Sequence, residues 1–569
     1  MLFKYITPVV AGLASVTSAV PYHVPINSTT EAGKLGAVAS ESSVCSEIGI
    51  DILKEGGNAA DAIIATQICV GVIGMYHSGI GGGGFMLVRS KNGSYEFIDF
   101  RETAPAAAFQ SMYVNNTDAS LYGGLAPGTP GELRGLEYLH KNYASLPWKH
   151  LFQPSIKVAR EGFAVTEDLV KYMGSSTFMV TDSTWAIDFA PNGTRLGLGD
   201  IMTRKRYADT LELIGEHGAD AYYTGAIANA TIVALQKSGG TMSLADLANY
   251  TVEIREPSNA TYRGYKISTG TAPSSGAVVL SVMKTIEGYD MSSPSVINAS
   301  THYLDEAMRF AYGQRTLLGD PAFQTNLTDY QQRMYSDASA AEVRSLISDT
   351  TTFNNSYYNP ATYGILTDSG TSASVAADKS GLTIALTSTI NTIFGSRLMV
   401  PETGVIMNNE MNDFSIPNTV NAFGYSPSPA NFIEPFKRPL SSISPTIVEY
   451  PNGTMYISHA SAGGSRIITE VIQHLWHVLD QNKTSAEALA EPRMHDQLSP
   501  DTVSFEYASE TYGIKGYDNG TTSYLKSLGA NVAFVAVGST TAQGLRLLPN
   551  GTFEAASEPR QLNSGGFVI

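Results

Sequence analysis

The feature that most constrains the fold is a change of pattern near two thirds of the chain length. Residues 131–340 carry mostly helical patterns, whereas residues 349–370 are rich in Thr, Asn, Ser and Tyr and show no period, as in an exposed connector. Beyond the connector, short apolar runs predict a series of strands and then a helix: Ser374–Ala377, Leu382–Ser388, Val405–Met407, Thr446–Tyr450, Met455–Ala460, and the helix Ile467–Leu479. Strands flanked by helices on both sides indicate an α/β fold built as a layered sandwich.

The N-terminal part predicts two helices followed by a glycine-rich turn. Residues 42–72 have a helical apolar pattern that Gly56-Gly57 interrupts, as at a helix end and tight turn. The run His77–Gly84 leads into strand patterns at Phe85–Val88 and Tyr95–Phe100. This run lacks the Gly-Lys-Ser/Thr ending of a phosphate loop and enters a strand, so it predicts close packing of backbones.

The charge and motif content exclude two classes of function. The 569 residues include 36 Lys and Arg against 52 Asp and Glu, a net charge of -16, and no basic run that could bind nucleic acid. The chain has two cysteines and no His-Glu-X-X-His motif, so the sequence predicts neither a metal centre nor a cofactor.

The first residues are typical of a cleavable secretion signal. A basic start with Lys4 precedes the apolar stretch from Tyr5 to Val16, and small residues lead up to Ala19. We therefore expect a signal peptide at 1–19 and a secreted, extracellular mature chain without a stable membrane span, the alternative being an N-terminal signal anchor. Fourteen Asn-X-Ser/Thr sequons agree with export, and in an exported chain the pair Cys45 and Cys69 favours a disulfide.

A candidate nucleophile lies where the connector meets the next strand. A threonine hydroxyl such as that of Thr371 reacts only with a base beside it, and cleavage of the preceding peptide bond would supply its own α-amine as that base. Gly370 leaves room for the hydroxyl to attack the preceding carbonyl. By itself a Gly-Thr pair also suits an ordinary strand start, and a Ser-His-Asp arrangement in some other order stays open.

Runs of residues in a characteristic order surround this position. Residues 387–395 and 408–414 follow it, with the sequences Thr-Ser-Thr-Ile-Asn-Thr-Ile-Phe-Gly and Asn-Asn-Glu-Met-Asn-Asp-Phe. Further runs occur before and after: His77–Gly84, Phe97–Glu102, Ala126–Glu132, Leu151–Ile156, Ala272–Gly276, Arg438–Thr446, Ser461–Ser465, Glu491–Gln497 and Glu558–Arg560. Together they resemble the gamma-glutamyltransferases (gamma-glutamyl transpeptidases), which are N-terminal-nucleophile hydrolases. The resemblance covers essentially the whole chain after the leader.

The resemblance implies a fold and a processing event. It implies a four-layer αββα sandwich built from two subunits cut from one precursor between Gly370 and Thr371. The large subunit would span 20–370 and the small catalytic subunit 371–569, associated as a heterodimer. Cys45 and Cys69 match a disulfide of animal members of the family.

The resemblance also implies roles for individual residues. Thr371 would attack the γ-glutamyl amide of glutathione or a related compound, and an amino acid, a dipeptide or water would take up the γ-glutamyl group. Thr389 would orient the nucleophile, and the N–H groups of Gly463 and Gly464 would form the oxyanion hole. The remaining matches are substrate-binding residues, for the carboxylate Arg101, Ser441 and Ser442, and for the ammonium Asn391, Glu410 and Asp413.

Two stretches depart from the family pattern. Many members have His and Ser two and four residues after the nucleophile, where this chain has Ala373 and Val375, which bears on the rate of self-cleavage. Residues 420–425 correspond to a lid over the pocket, in which Phe423 or Tyr425 would cover the site. The lid bears on the balance between hydrolysis and transfer.

Alternatives exist for the function and for the single residues. The chain could be a related acylase for cephalosporin or glutaryl groups, or an unprocessed, non-catalytic secreted glycoprotein. Taken alone, Arg101 suits a surface ion pair, and Glu410 with Asp413 suits a solvated pair on one helix face. Ser441-Ser442 suits a turn and Gly463-Gly464 an ordinary loop.

Overall fold

The computed structural model describes residues 33–174, 176–359, 361, 363–364, 370–419 and 426–569. The predicted signal peptide 1–19 and the lid positions Phe423 and Tyr425 lie outside the described residues.

The strands are numbered in chain order. Within the described residues they are β1 Gly36–Ser40, β2 Gly83–Arg89, β3 Tyr95–Phe100, β4 Phe163–Ala164, β5 Ile201–Met202, β6 Glu253–Arg255, β7 Ser258–Tyr262, β8 Tyr265–Thr269, β9 Ser372–Asp378, β10 Thr383–Thr389, β11 Thr446–Glu449, β12 Met455–Ala462, β13 Met494–His495, β14 Val503–Glu506, β15 Val532–Val535, β16 Thr541–Leu547, β17 Phe553–Ala556 and β18 Gly565–Val568.

The α-helices are numbered in the same way. Over the same residues they are α1 Ser43–Lys54, α2 Ala59–Ile73, α3 Glu132–Tyr143, α4 Trp148–Glu161, α5 Glu167–Met173, α6 Phe178–Thr181, α7 Ser183–Phe189, α8 Lys205–His217, α9 Asp220–Tyr223, α10 Gly225–Lys237, α11 Leu244–Ala248, α12 Gly276–Ile286, α13 Ile297–Arg315, α14 Leu327–Met334, α15 Asp337–Leu346, α16 Asn355–Tyr358, α17 Arg466–Leu479, α18 Ser485–Ala490 and α19 Asn519–Ser527.

Two large antiparallel sheets form the centre of the molecule. One has the strand order β18-β1-β9-β10-β2-β3-β6 and the other β17-β16-β12-β11-β8-β7. β9 and β10 face β12, while α1 and α2 cover the outer face of the first sheet and α12 and α17 that of the second. The predicted four-layer αββα sandwich is therefore the observed architecture.

Strand β9 shows how the alternation of side chains builds these layers. Ala373 and Val375 lie in the core between the two sheets, whereas Ala376 lies in the core beneath the helices. On the helix side, Ser374 Oγ is 3.3 Å from Gln67 Oε1 of α2. The two positions that depart from the family pattern are thus apolar packing positions, buried to at least 97%.

The glycine run packs against the neighbouring backbone, as predicted. A Cβ atom on Gly82 would lie 2.0 Å from the carbonyl oxygen of Thr389, and one on Gly84 would lie 2.1 Å from that of Thr387. Only glycine permits this approach, and it lets β2 reach the end of β10.

Three local predictions differ from the structure in whole or in part. Val405–Met407 is a buried loop and not a strand, with an isolated bridge between Met399 and Ile406. The run is apolar because it packs against the glycine run, where the N–H of Asn408 donates to the carbonyl of Gly81 at 3.1 Å. The predicted connector also contains the short helix α16, and the mostly helical region 131–340 contributes β7 and β8 to the second sheet.

The predicted disulfide joins the two helices of the outer layer. Cys45 of α1 and Cys69 of α2 are bonded and fully buried, and they are 24 residues apart.

Within the described residues, no helix combines the length and the apolar character needed to cross a bilayer.

We expect the double substitution of Cys45→Ala and Cys69→Ala to lower the melting temperature by several degrees. A bond that closes a loop of about this length stabilises a folded chain by about 3 kcal/mol. Dithiothreitol should lower the melting temperature of the parent protein and leave that of the double variant unchanged. Equal melting temperatures for parent and variant without reductant would contradict the prediction.

Candidate active site

Thr371 lies at the entrance to β9, beside the end of β10. The antiparallel register pairs Ser372 with Ser388, which brings Thr371 next to Thr389. The hydroxyl of Thr371 donates to Thr389 Oγ1 at 3.3 Å, and that oxygen accepts the backbone N–H of Asn391 at 2.7 Å. The predicted orienting residue therefore contacts the predicted nucleophile.

The backbone at this junction is strained. Gly370 has φ 122° and Thr371 has φ 93°, a conformation that β-branched residues rarely adopt. A Cβ atom on Gly370 would lie 1.7 Å from the carbonyl oxygen of Asn391, so only glycine fits there. Such strain costs about 1–3 kcal/mol per residue and concentrates at functional sites.

A small buried cavity of about 10 Å³ lies next to the Thr371 hydroxyl. It brings together most of the predicted site, since its lining residues are Arg101, Thr371, Thr389, Asn391, Glu410, Asp413, Ser441, Ile443, Gly464 and Ile467. Arg101 precedes the Gly370–Thr371 bond in the sequence, and the other lining residues follow it. Segments next to both large sheets form the cavity.

Three charged side chains form the floor of this cavity. Arg101 donates to Glu410 through Nη1 and to Asp413 through Nη2, and all three side chains are buried. Glu410 and Asp413 lie on one buried turn of 3-10 helix, so the surface alternatives for these residues are wrong. Burial opposes the charge on Arg101, but Glu410 and Asp413 outweigh it and raise the pKa of the guanidinium above its ordinary value.

Asn391 and the loop before Glu410 are held by backbone contacts. The amide of Asn391 donates to the carbonyl of Asn409 at 3.0 Å. Asn408 Oδ1 accepts the N–H of Glu410 at 3.0 Å and that of Gly128 at 2.9 Å. These bonds fix the acidic turn against the segment that carries the Ala126–Glu132 motif.

The two predicted serines, Ser441 and Ser442, make different contacts. Ser441 lines the cavity and accepts the N–H of Ile443 at 3.2 Å. Ser442 is absent from the lining, and its hydroxyl accepts Arg315 Nη2 at 3.0 Å. Arg315 also donates to Ser275 Oγ at 2.9 Å, so it holds the serine loop and is a site residue that the sequence did not indicate.

The paired glycines follow β12 and lie beside Thr371. Gly464 lines the small cavity, and Gly463 lines a larger neighbouring one that also reaches Thr371. Their φ angles are 62° and 122°, and a Cβ atom on Gly463 would lie 2.5 Å from the carbonyl oxygen of Ser539. Position 463 therefore requires glycine, because any larger side chain would clash with the neighbouring backbone.

Two buried glutamates near the site escaped the sequence analysis. Glu102 lies 4.0 Å from Arg101, and burial raises its pKa to about 8 despite that charge. Burial likewise raises the pKa of Glu132 to about 8, and its carboxyl accepts the hydroxyl of Ser388 at 2.7 Å. Both residues end motifs noted in the sequence, but only the fold shows that they are buried.

The larger cavity has a volume of about 570 Å³ and opens beside Thr371 and Gly463. Its wall includes Arg466 at the start of α17, His495 and Ser504. No local pattern predicts this cavity, because its walls join segments far apart in the chain, from His77 and Tyr172 to the residues between His495 and Thr541.

One buried cluster has side chains of the kind that bind metals. His459, Glu470 and His474 have ligand atoms within 4.8 Å of one another. The two imidazole rings are stacked 3.9 Å apart at an interplanar angle of 16°, so their in-plane lone pairs run parallel and do not converge on one point. His459 Nε2 lies 2.8 Å from Glu470 Oε2, and we assign this cluster to packing.

Comparison with known proteins identifies the family. The sequence profile described as Gamma-glutamyltranspeptidase matches residues 45–567. The glutathione hydrolase proenzyme of Arthroderma benhamiae is 51% identical, over 98% of this chain and 97% of that protein. The glutathione hydrolase of Aspergillus flavus is 46% identical, over 95% of this chain and 90% of its own. The chain belongs to the gamma-glutamyltranspeptidase family. The resemblance inferred from the motifs is thereby confirmed.

Solved structures agree with this membership. The gamma-glutamyltranspeptidase of Helicobacter pylori superposes with a TM-score of 0.54 at 31% identity and covers 58% of this chain and 96% of its own. The cephalosporin acylase of Bacillus halodurans superposes with a TM-score of 0.81 over 97% of this chain and 99% of its own. At 24% identity, the acylase supports the fold alone.

We expect Glu132→Gln to flatten the pH dependence of stability in this family member. The pKa of Glu132 is about 8 in the folded protein and near 4.5 as an ordinary glutamate. Between these values the folded chain keeps a proton that the unfolded chain releases, so the free energy of unfolding falls as pH rises from about 4.5 to 8. Glutamine removes this contribution. Urea denaturation midpoints at several pH values test it, and parallel pH profiles for parent and variant would contradict it.

Proposed function

We propose that the protein is a secreted, self-processing γ-glutamyl hydrolase and transferase acting on glutathione and other γ-glutamyl compounds. One observation carries the proposal. The hydroxyl of Thr371, at a strained Gly-Thr junction, shares a buried cavity with Arg101, Glu410 and Asp413. A nucleophile next to paired charges of both signs suits a zwitterionic γ-glutamyl head group.

The first step in the proposal is cleavage of the chain. Thr371 Oγ attacks the carbonyl of Gly370, the C–N bond breaks, and the nitrogen becomes the free amine of Thr371. Water then hydrolyses the resulting ester and releases a carboxylate at Gly370. The strained φ angle at Thr371 favours this cleavage, and the Arthroderma benhamiae relative is named a proenzyme. The products are a large subunit of 20–370 and a small subunit of 371–569.

The freed amine then serves as the base for catalysis. It takes the proton of Thr371 Oγ as the oxygen attacks the γ-carbonyl carbon, and it returns the proton to the departing amine as the C–N bond breaks. Thr389 orients the hydroxyl, and N–H groups of Gly463 and Gly464 donate to the oxyanion. Water, an amino acid or a dipeptide then attacks the γ-glutamyl ester and regenerates the hydroxyl.

Recognition of the head group requires an exchange of ion pairs. Arg101 is bound to Glu410 and Asp413 in the structure, and the cavity beside them is small. The α-carboxylate of the substrate would pair with Arg101 while its ammonium pairs with the two carboxylates, so every buried charge keeps a partner. A glutaryl group has no ammonium and would leave the carboxylates unmatched, which disfavours the acylase alternative.

Secretion rests on separate features. The leader at 1–19, the fourteen sequons and the Cys45–Cys69 disulfide support export, because disulfides persist mainly in oxidising compartments. We propose an extracellular enzyme without a cofactor.

Thr371→Ala should yield one uncut chain without turnover of a γ-glutamyl anilide. The alanine provides no hydroxyl for either cleavage or catalysis. Thr371→Ser is the matched control, since it keeps both the hydroxyl and the amine and should be cleaved and active. Denaturing gels with N-terminal sequencing give the result, and normal cleavage of the alanine variant would remove Thr371 from its role.

Arg101→Lys should raise the KM for a γ-glutamyl anilide about tenfold or more, because lysine cannot form the two-pronged contact with a carboxylate. Lysine keeps the charge beside Glu410 and Asp413, so we expect the variant to fold and to be cleaved. Arg160→Lys is the control, since that arginine pairs with Asp209 and Glu212 on the surface. Its KM should equal that of the parent protein, and an unchanged KM for Arg101→Lys would exclude the assignment.

A further inference from the structure

The larger cavity lies where the rest of the substrate must go. In the proposed function the γ-glutamyl head group occupies the position of the small cavity once the ion pairs of Arg101 have exchanged, and Thr371 lines both cavities. A group attached to the γ-amide nitrogen lies on the far side of the reacting carbonyl. The cavity of about 570 Å³ beside Thr371 and Gly463 is therefore the space for the leaving group.

Arg466 stands out on the wall of this cavity. Its Nη2 donates to Ser504 Oγ at 3.2 Å, and among the described residues no carboxylate forms an ion pair with it. The charge of Glu506 acts on it from further away, but Glu506 is bound to Arg560 at 2.6 Å. The guanidinium thus borders open space with a hydroxyl as its hydrogen-bond partner.

Other interior arginines are neutralised by the protein itself. Arg101 and Arg309 pair with buried carboxylates, as does Arg438 with Asp99. Arg204 donates to three backbone carbonyls. Arg466 has no such set of partners, and it stands in the first turn of α17, where the helix dipole disfavours a cation. Helix stability does not explain an arginine at this position, whereas binding of an anionic ligand would explain it.

The other walls mix polar and apolar side chains. Besides Thr371, the lining residues with a hydroxyl or amide group are Tyr172, Ser465, Gln497, Thr502, Ser504, Ser539, Thr540 and Thr541, and the apolar ones are Ile393, Ala462, Pro500, Ala533 and Val535. Burial lowers the pKa of His495 to about 3, so this ring is uncharged at neutral pH. The lining, drawn from the described part of the chain, contains no Asp or Glu. Arg466 is accordingly the permanent cation of this lining, whereas His77 is already bonded to Glu41 at 2.7 Å.

We propose that Arg466 binds the C-terminal carboxylate of the peptide attached to the γ-glutamyl group, which in glutathione is the glycyl carboxylate. This inference rests on the proposed function and assigns its leaving-group subsite. A dipeptide spans about 7 Å when extended, a length suited to a cavity of about 570 Å³. Arg466 would favour peptide conjugates with a free carboxylate over γ-glutamyl amides without one.

The experiment compares three donors on parent protein and Arg466→Met. The donors are glutathione, glutathione with an amidated glycine, and a γ-glutamyl anilide. We expect kcat/KM for glutathione to fall about tenfold or more in the variant, as for loss of a hydrogen bond to a charged group. The values for the amidated donor and the anilide should stay within about twofold. All three donors form the same ester on Thr371, so the effect belongs to ester formation and not to its hydrolysis.

Controls separate this role from a structural one. Arg466→Lys should recover part of the loss for glutathione, and Ser504→Ala should keep most of the parent activity because the cation is retained. An equal loss for all three donors, or none for glutathione, would overturn the inference. If the methionine variant fails to fold, the parent protein decides: equal kcat/KM for glutathione and its amide would overturn the inference. Failure of the parent protein to act on any donor would instead overturn the proposed function.

Discussion

The antiparallel register between β9 and β10 is the constraint on which the site depends. Strand pairing sets Thr371 at the start of one strand beside Thr389 at the end of the other, without any long or flexible side chain. The glycine run permits β2 to close against the end of β10, because Gly82 and Gly84 leave no room for a Cβ atom. A hydroxyl held by backbone pairing is positioned before any substrate arrives.

The charged residues of the site lie close to the start of β9 and the end of β10. Arg101 follows β3, while Glu410 and Asp413 stand on a turn held by Asn408. Buried charges of one sign would be costly alone, and the contacts of Arg101 with Glu410 and Asp413 offset part of that cost, although burial still raises the pKa of Asp413. Arg466 is the contrast: it borders the space of the larger cavity, and no carboxylate among the described residues forms an ion pair with it.

Sequence predicted the features that depend on local pattern or on motif order. The strand predicted at Leu382–Ser388, which is β10 in the structure, and the helix pair of the disulfide are confirmed. The structure also places Thr371 and Arg101 at one cavity, while their roles stay predictions. Val405–Met407 has the pattern of a strand without being one, because burial against a glycine run leaves the same apolar pattern as strand pairing. The raised pKa of Glu132 and the place of Arg466 in the cavity wall depend on segments far apart in the chain, which no local pattern records.

The strand order of the first sheet has a consequence for the two pieces of a cut chain. β18, β9 and β10 follow residue 371; β18 and β9 flank β1, and β10 pairs with β2, and both β1 and β2 precede that residue. Each piece alone would lack the hydrogen-bond partners on which its neighbours depend. Dilution would therefore not separate the pieces, and partners would not swap between molecules unless the whole sandwich came apart. A chain cut at this point would therefore behave in solution as one molecule with a break in its backbone.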